Sequence, residues 1–152
     1  MGLHLMAYSD RELLARIIKC EAGGEGDNGM KAVAASIMNR VRVPGGEYHR
    51  VGEGNIRKII YEKGQYDCMR SILGGVANPQ TIWANPPEQI HYDIADWALA
   101  GNRLAPLGDS LWYFNPYAPG CPYLFPFNGS GTFQISIVNH CYYNPTAKYY
   151  KT

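Results

Sequence analysis

The chain has 152 residues, a length that suits one domain, 1–152 with a core over about 9–145, able to fold alone. Its formal net charge is +1 and its 14 basic residues are scattered, which argues against nucleic acid or an anionic membrane as partner. No apolar run is long enough to cross a bilayer, and the start, with Met1 and Met6 both candidate initiators, lacks the basic and apolar regions of a secretion signal. Ser9-x-x-Glu12 then reads as a capping box opening a helix. Leu14, Ile17, Ile18 and Glu21 follow at i, i+3, i+4 and i+7, one face of that helix, so a carboxylate stands where an apolar side chain belongs.

Ala22-Gly23-Gly24 ends this helix and leaves the Glu21 carboxyl beside backbone that a ligand can approach. Loss of hydration there disfavours the charged form and raises the pKa, the condition for a general acid at neutral pH. The competing reading is a structural ion pair between Glu21 and a buried Arg40, and position alone divides the two evenly. Glu25, four residues on, supplies a second carboxylate of the kind glycosidic cleavage uses, or a solvated charge at the start of the next helix.

Asp27 or Asn28 is expected to cap a second helix reaching about Val41. Met30, Val33, Ala34, Ile37, Met38 and Val41 form its main face, and Ala32, Ala35, Ser36 and Asn39 a second face of small residues. Such a helix is packed on both sides, and Asn39 becomes a semi-buried amide able to orient the first helix or a substrate. A Gly/Pro-rich loop is expected over Pro44 to Gly54, then a short helix capped by Asn55 and ended by Gly64. An irregular stretch runs to Pro87. Asn85-Pro86-Pro87 starts a further helix to about Gly101, with Ile90, Ile94, Trp97 and Ala98 inward. Leu111 to Asn115 and Phe133 to Tyr143 are β-prone, so the fold class is α+β with a cleft between its two parts.

Cys20, Cys68, Cys121 and Cys141 show no close zinc-type pairs. Free thiols are the default, with a Cys121–Cys141 disulfide open in an oxidising compartment. His91 with Asp93, or His4 with His49, lacks metal-site spacing, so no metal and no cofactor are expected. His140 and Cys141 are strand neighbours pointing to opposite faces and cannot pair as base and nucleophile. The 12 tyrosines suit a groove that stacks on sugars, although cores and sheets use tyrosine too.

The runs Leu14-Ala15-Arg16-Ile17-Ile18-x-x-Glu21-Ala22-x-Gly24-Glu25-Gly26, Met38-Asn39-Arg40-Val41, Ile60-Tyr61-x-x-Gly64-Gln65-Tyr66, Leu111-Trp112-Tyr113-Phe114-Asn115-Pro116 and Asn139-His140-Cys141-Tyr142-Tyr143 occur in that order. Together they resemble the spore cortex-lytic cell wall hydrolases of the SleB/CwlJ type, closer to the CwlJ branch, from Leu13 to Tyr143. Gly64-Gln65-Tyr66 departs from the Gly-Ala-Phe often found in that family. The resemblance implies a lysozyme and lytic-transglycosylase-like helical core with a small sheet from the C-terminal third. It also implies Glu21 as catalytic residue, cortex peptidoglycan as partner during germination, and action at the spore coat and cortex boundary, where a coat protein is a further candidate partner. Glu25, Asn39, Gln65, Tyr66, Tyr113, Asn115, His140 and Tyr142 are the candidate substrate-binding residues. Muramidase-type hydrolysis with Glu25 or Asp67 as helper, a metal-dependent amidase, and a non-catalytic glycan-binding or coat protein are the alternatives.

Overall fold

The computed structural model describes residues 8–62 and 64–152; His4, both candidate starts and the signal-sequence reading lie outside the described residues. The chain forms α1 (Asp10–Ala22), α2 (Gly26–Arg42), α3 (Gly46–Gly52), α4 (Ile56–Tyr61), the hairpin β1 (Ile72–Leu73) and β2 (Val76–Ala77), and α5 (Gln89–Leu99). Then come β3 (Trp112–Phe114), β4 (Gly131–Ile137), β5 (His140–Pro145) and α6 (Ala147–Tyr150). The fold is α+β, with the C-terminal strands in an antiparallel sheet of order β3-β5-β4. Among the described residues no helix is long and apolar enough to cross a membrane.

Helix α1 starts as its sequence predicts: Ser9 Oγ accepts from the Glu12 N–H at 3.1 Å. The Glu12 carboxylate turns forward instead of back and accepts from Arg16 Nε at 2.9 Å. Helix α2 begins at Gly26 with Glu25 as its cap, two or three residues ahead of the expected Asp27 or Asn28. Its two-sided burial holds. Met30, Val33, Ala34 and Ile37 join the core made with α1 and α5, while Ala32 and Ala35 pack on Leu107 and on Tyr142 of the sheet. Small side chains on that second face let helix and sheet approach closely, so α2 is the wall between the helical half and the strands.

The expected loop over Pro44 to Gly54 contains α3. Residues far away in sequence satisfy its first N–H groups: Glu47 N donates to Thr152 Oγ1 at 2.8 Å and Tyr48 N to the Tyr149 hydroxyl at 3.0 Å. Tyr48 also packs on Trp112 and Tyr149. Gly46 has φ +74°, and a Cβ there would lie 2.4 Å from the Tyr149 ring. Gly46→Ala therefore meets a left-handed backbone and a ring held on both sides, and we expect it to cost about 2–3 kcal/mol. A urea unfolding midpoint equal to wild type would contradict this.

Asn55 caps α4 as expected, accepting from Arg57 N and Lys58 N, and α4 ends at Tyr61. Helix α5 begins later than expected, at Gln89, because Glu88 and His91 form a reciprocal capping box. Asn85 instead closes its own loop, donating to Pro79 O and Thr81 O. This start fixes the buried face as His91, Ile94, Ala95 and Ala98, leaving Ile90 43% exposed and Trp97 half-buried, so the expected inward set is corrected at those two positions. The β-prone run 133–143 is two strands, reversed at Val138-Asn139, with Ile137 opposite His140.

Candidate active site

Glu21 sits in the last turn of α1, behind Leu14, Ile17 and Ile18, which are fully buried. Exposed carbonyls at a helix C-terminus make that end negative, which further disfavours a carboxylate. Burial is the main cause that pushes the Glu21 carboxyl above its ordinary range. The Tyr113 hydrogen bond and the charges of His140 and Arg40 oppose this, and Asp67 reinforces it. Glu21 Oε1 accepts from the Tyr113 hydroxyl at 2.7 Å. Burial also lifts the Tyr113 phenol well above its usual value, and the Glu21 charge adds to this, so Tyr113 stays a donor. A protonated carboxyl with one oxygen held and the other without a donor among the described residues is arranged to give up a proton.

Arg40 is not the ion-pair partner of Glu21. Its Nε donates to Leu111 O at 2.6 Å and its Nη1 to Gln65 Oε1 at 3.1 Å, while the guanidinium lies over the rings of Tyr48 and Tyr66. The buried cation thus braces α2 against the entrance to β3, which carries Tyr113.

Glu25 and His140 form the other side of the site. His140 Nδ1 lies 2.9 Å from Glu25 Oε1, which also accepts from the Asn139 N–H at 3.3 Å. The His140 ring meets Tyr113 edge-on at 5.2 Å, so the order Glu21, Tyr113, His140, Glu25 is continuous. Gly29 permits this arrangement, since a Cβ on it would stand 2.5 Å from Glu25 Cβ. Asn115 is half-buried, its Oδ1 accepting from Tyr117 N, and it lines a 270 Å3 cleft with Asn139.

Four candidates take supporting places instead of facing a ligand. Tyr66 is 3% exposed and Tyr142 0%, shut in by the packing of α2 on its neighbours, so neither can stack on a sugar. Gln65 spends its amide oxygen on Arg40 and on the Tyr48 hydroxyl, the latter at 2.9 Å. Buried Asn39 donates to Gly108 O at 3.2 Å and Ser110 O at 3.0 Å, clamping α2 to the approach to β3. It lines a different pocket, with Arg103 and Asp109, and does not meet Glu21.

The cysteines correct the expectation of free thiols: both Cys20–Cys68 and Cys121–Cys141 are disulfides. Cys121–Cys141 lies on the face of β5 opposite His140, as strand alternation requires. Cys20–Cys68 brings a sulfur to the Glu21 carboxyl, with Cys68 Sγ 3.0 Å from Glu21 Oε2. A disulfide sulfur has no hydrogen to donate, so this is a contact that leaves the carboxylate without a donor on that oxygen. Cys20, Glu21 and Cys68 have potential metal-ligand atoms within 4.8 Å of one another, yet a disulfide offers no thiolate to an ion. His91, considered above with Asp93, is a structural histidine: its Nδ1 accepts from Glu88 N at 2.9 Å. Asp67, a candidate helper from sequence, and Cys68, which sequence did not place beside Glu21, both reach it through the 3-10 turn Asp67–Met69.

Residues 24–143 match the Cell Wall Hydrolase family profile. The chain is 31% identical over 143 residues to cell wall hydrolase CwlJ of Bacillus subtilis (strain 168), covering 92% of this chain and 88% of that protein. It is 30% identical over 110 residues to a spore cortex-lytic enzyme of Oceanobacillus iheyensis, covering 72% of this chain and 34% of that protein. Its fold is similar to the catalytic domain of the germination-specific lytic transglycosylase SleB from Bacillus anthracis. There the TM-score is 0.62 at 23% identity, over 91% of this chain and 98% of that one.

Proposed function

The chain belongs to the cell wall hydrolase family, and from that premise we propose that it cuts the glycan strands of cortex peptidoglycan during germination. In this reading it is a lytic transglycosylase acting between N-acetylmuramic acid and N-acetylglucosamine, at the boundary of spore coat and cortex, with a coat protein as partner. The observation that carries the reaction is the half-buried Glu21 carboxyl, held on one oxygen by Tyr113 and pushed up in pKa by lost hydration.

Protonated Glu21 gives its proton to the glycosidic oxygen as the muramic sugar gains oxocarbenium character. The resulting carboxylate is steadied on Oε1 by the Tyr113 hydroxyl. It then takes the proton from the muramic C6 hydroxyl, whose oxygen attacks C1 and closes a 1,6-anhydro ring without water. This route needs one carboxylate. Glu25, the other carboxylate of the site, is already engaged by His140 and the Asn139 N–H.

A second reading, muramidase hydrolysis, is favoured by one observation: exposed Asp67 is near enough to Glu21 to act on its ionisation and could orient a water. Mass spectrometry of muropeptides released from isolated cortex separates the two. We expect 1,6-anhydromuramic ends that resist borohydride reduction. Reducible muramic ends as the sole product would reject the transglycosylase step, and free stem peptides with uncut glycan would point to an amidase.

A further inference from the structure

A disulfide lies against the Glu21 oxygen that Tyr113 does not hold, with Cys68 Sγ 3.0 Å from Oε2. We propose that the Cys20–Cys68 disulfide positions the Glu21 carboxyl for glycan cleavage, and that its reduction by a dithiol switches the site off. The proposal rests on Glu21 acting as the acid. Cys20 immediately precedes Glu21 in the last turn of α1, and Cys68 lies in the short 3-10 turn Asp67–Met69, so the bridge ties the two segments that flank the carboxyl. Their separation of 48 residues means that nothing local holds this pair of segments in register.

The bridge has a chemical effect as well as a mechanical one. Glu21 is faced by Tyr113 of β3, His140 and Tyr142 of β5, Arg40 of α2, Asp67 of the 3-10 turn and Tyr66 just before it. Among the described residues only Tyr113 gives it a hydrogen bond from a side chain, and the sulfur of Cys68, which in the disulfide cannot donate, lies against Oε2. That keeps the proton on the carboxyl. In reduction, a dithiol thiolate attacks half-buried Cys20, the protein S–S bond breaks, and the mixed disulfide resolves within the reductant. Two electrons and two protons reach the protein, leaving two thiols and a cyclic disulfide of the reductant. The Cys68 thiol formed beside Oε2 is a donor, which favours the carboxylate, and the segments are no longer tied.

The test compares oxidised protein, dithiol-reduced protein and Cys20→Ser, each with the Cys121–Cys141 bridge verified by mass spectrometry. Glycan cleavage is followed against pH, and Glu21 ionisation by carboxyl 13C NMR. Reduction and Cys20→Ser are both expected to lower kcat about tenfold or more, with KM changed less than about twofold, and to move the alkaline limb and the NMR titration of Glu21 to lower pH. Cys20→Ala/Cys68→Ala, which has no thiol, should lose kcat without that downward shift. If Cys20→Ser fails to fold, reduction of the folded wild type gives the same comparison.

An unchanged Glu21 titration and kcat after verified reduction of Cys20–Cys68 would overturn the proposal. So would activity of the reduced protein that a chelator restores, because the loss would then be capture of a metal by Cys20, Glu21 and Cys68. The NMR titration needs no turnover, so it judges the disulfide even if the oxidised protein cuts no glycan, a result that would instead reject the proposed function.

Discussion

Glu21→Gln is expected to reduce glycan cleavage by about 10²–10⁴-fold while raising the melting temperature at neutral pH. The amide keeps the shape of the side chain and can still accept from Tyr113, so glycan binding should persist, but it has no proton to give a leaving oxygen. The stability gain follows from the direction of the pKa shift. Burial raises the Glu21 pKa in the folded chain above the ordinary 4.5, so the folded state holds its proton more tightly than the unfolded state does. Below pH 4.5 both states are protonated and Glu21 imposes no penalty. As pH rises through the raised value the unfolded chain ionises first, and the wild type loses stability that the neutral amide keeps. We expect the variant to melt about 2–4 °C higher at neutral pH, with the difference vanishing in acid. Activity of the wild type should fall as pH rises through the same raised value. Cleavage by the variant at the wild-type rate, or a lower melting temperature at neutral pH, would remove Glu21 from the acid role.

Arg40→Ala is expected to act in the opposite sense and to cost about 3–5 kcal/mol of stability. Arg40 is 5% exposed, and among the described residues no carboxylate lies within ion-pair distance of it. Its charge is satisfied by Leu111 O, Gln65 Oε1 and the faces of Tyr48 and Tyr66. Truncation removes the Arg40 donor from Leu111 O, leaves Gln65 Oε1 with the Tyr48 hydroxyl alone, and opens a void between the two rings. Activity should fall as well, since Leu111 leads directly into the strand that carries Tyr113. Arg40→Lys restores the charge but not the fork that reaches both oxygens, so its unfolding midpoint should lie between those of Arg40→Ala and the wild type. The two substitutions together test the ion-pair alternative. Had Glu21 and Arg40 formed a buried pair, loss of either partner would destabilise; opposite signs exclude it.

Local periodicity made much of this molecule legible. The apolar stripe of α1 placed Glu21 among buried residues before any contact was known, because a helix repeats its face every three to four residues. The small residues Ala32 and Ala35 announced that α2 is packed on two sides, and strand alternation separated His140 from Cys141. Motif order led to the family.

Tertiary structure decided which partners each buried group meets. Sequence offered Arg40 to Glu21, yet the fold turns the guanidinium to Leu111 and gives the carboxyl Tyr113 instead. It joined Cys20 to Cys68 across 48 residues, a pairing that depends on where the chain returns and not on spacing. It buried Tyr66 and Tyr142 and stabilised α3 through Tyr149 and Thr152, a hundred or so residues away. The physical reason is common to all of these. Propensity and periodicity are set by neighbours along the chain and determine which side of an element is apolar, whereas hydrogen-bond donors, disulfide partners and covering surfaces for that side come from whatever segment the folded path brings near.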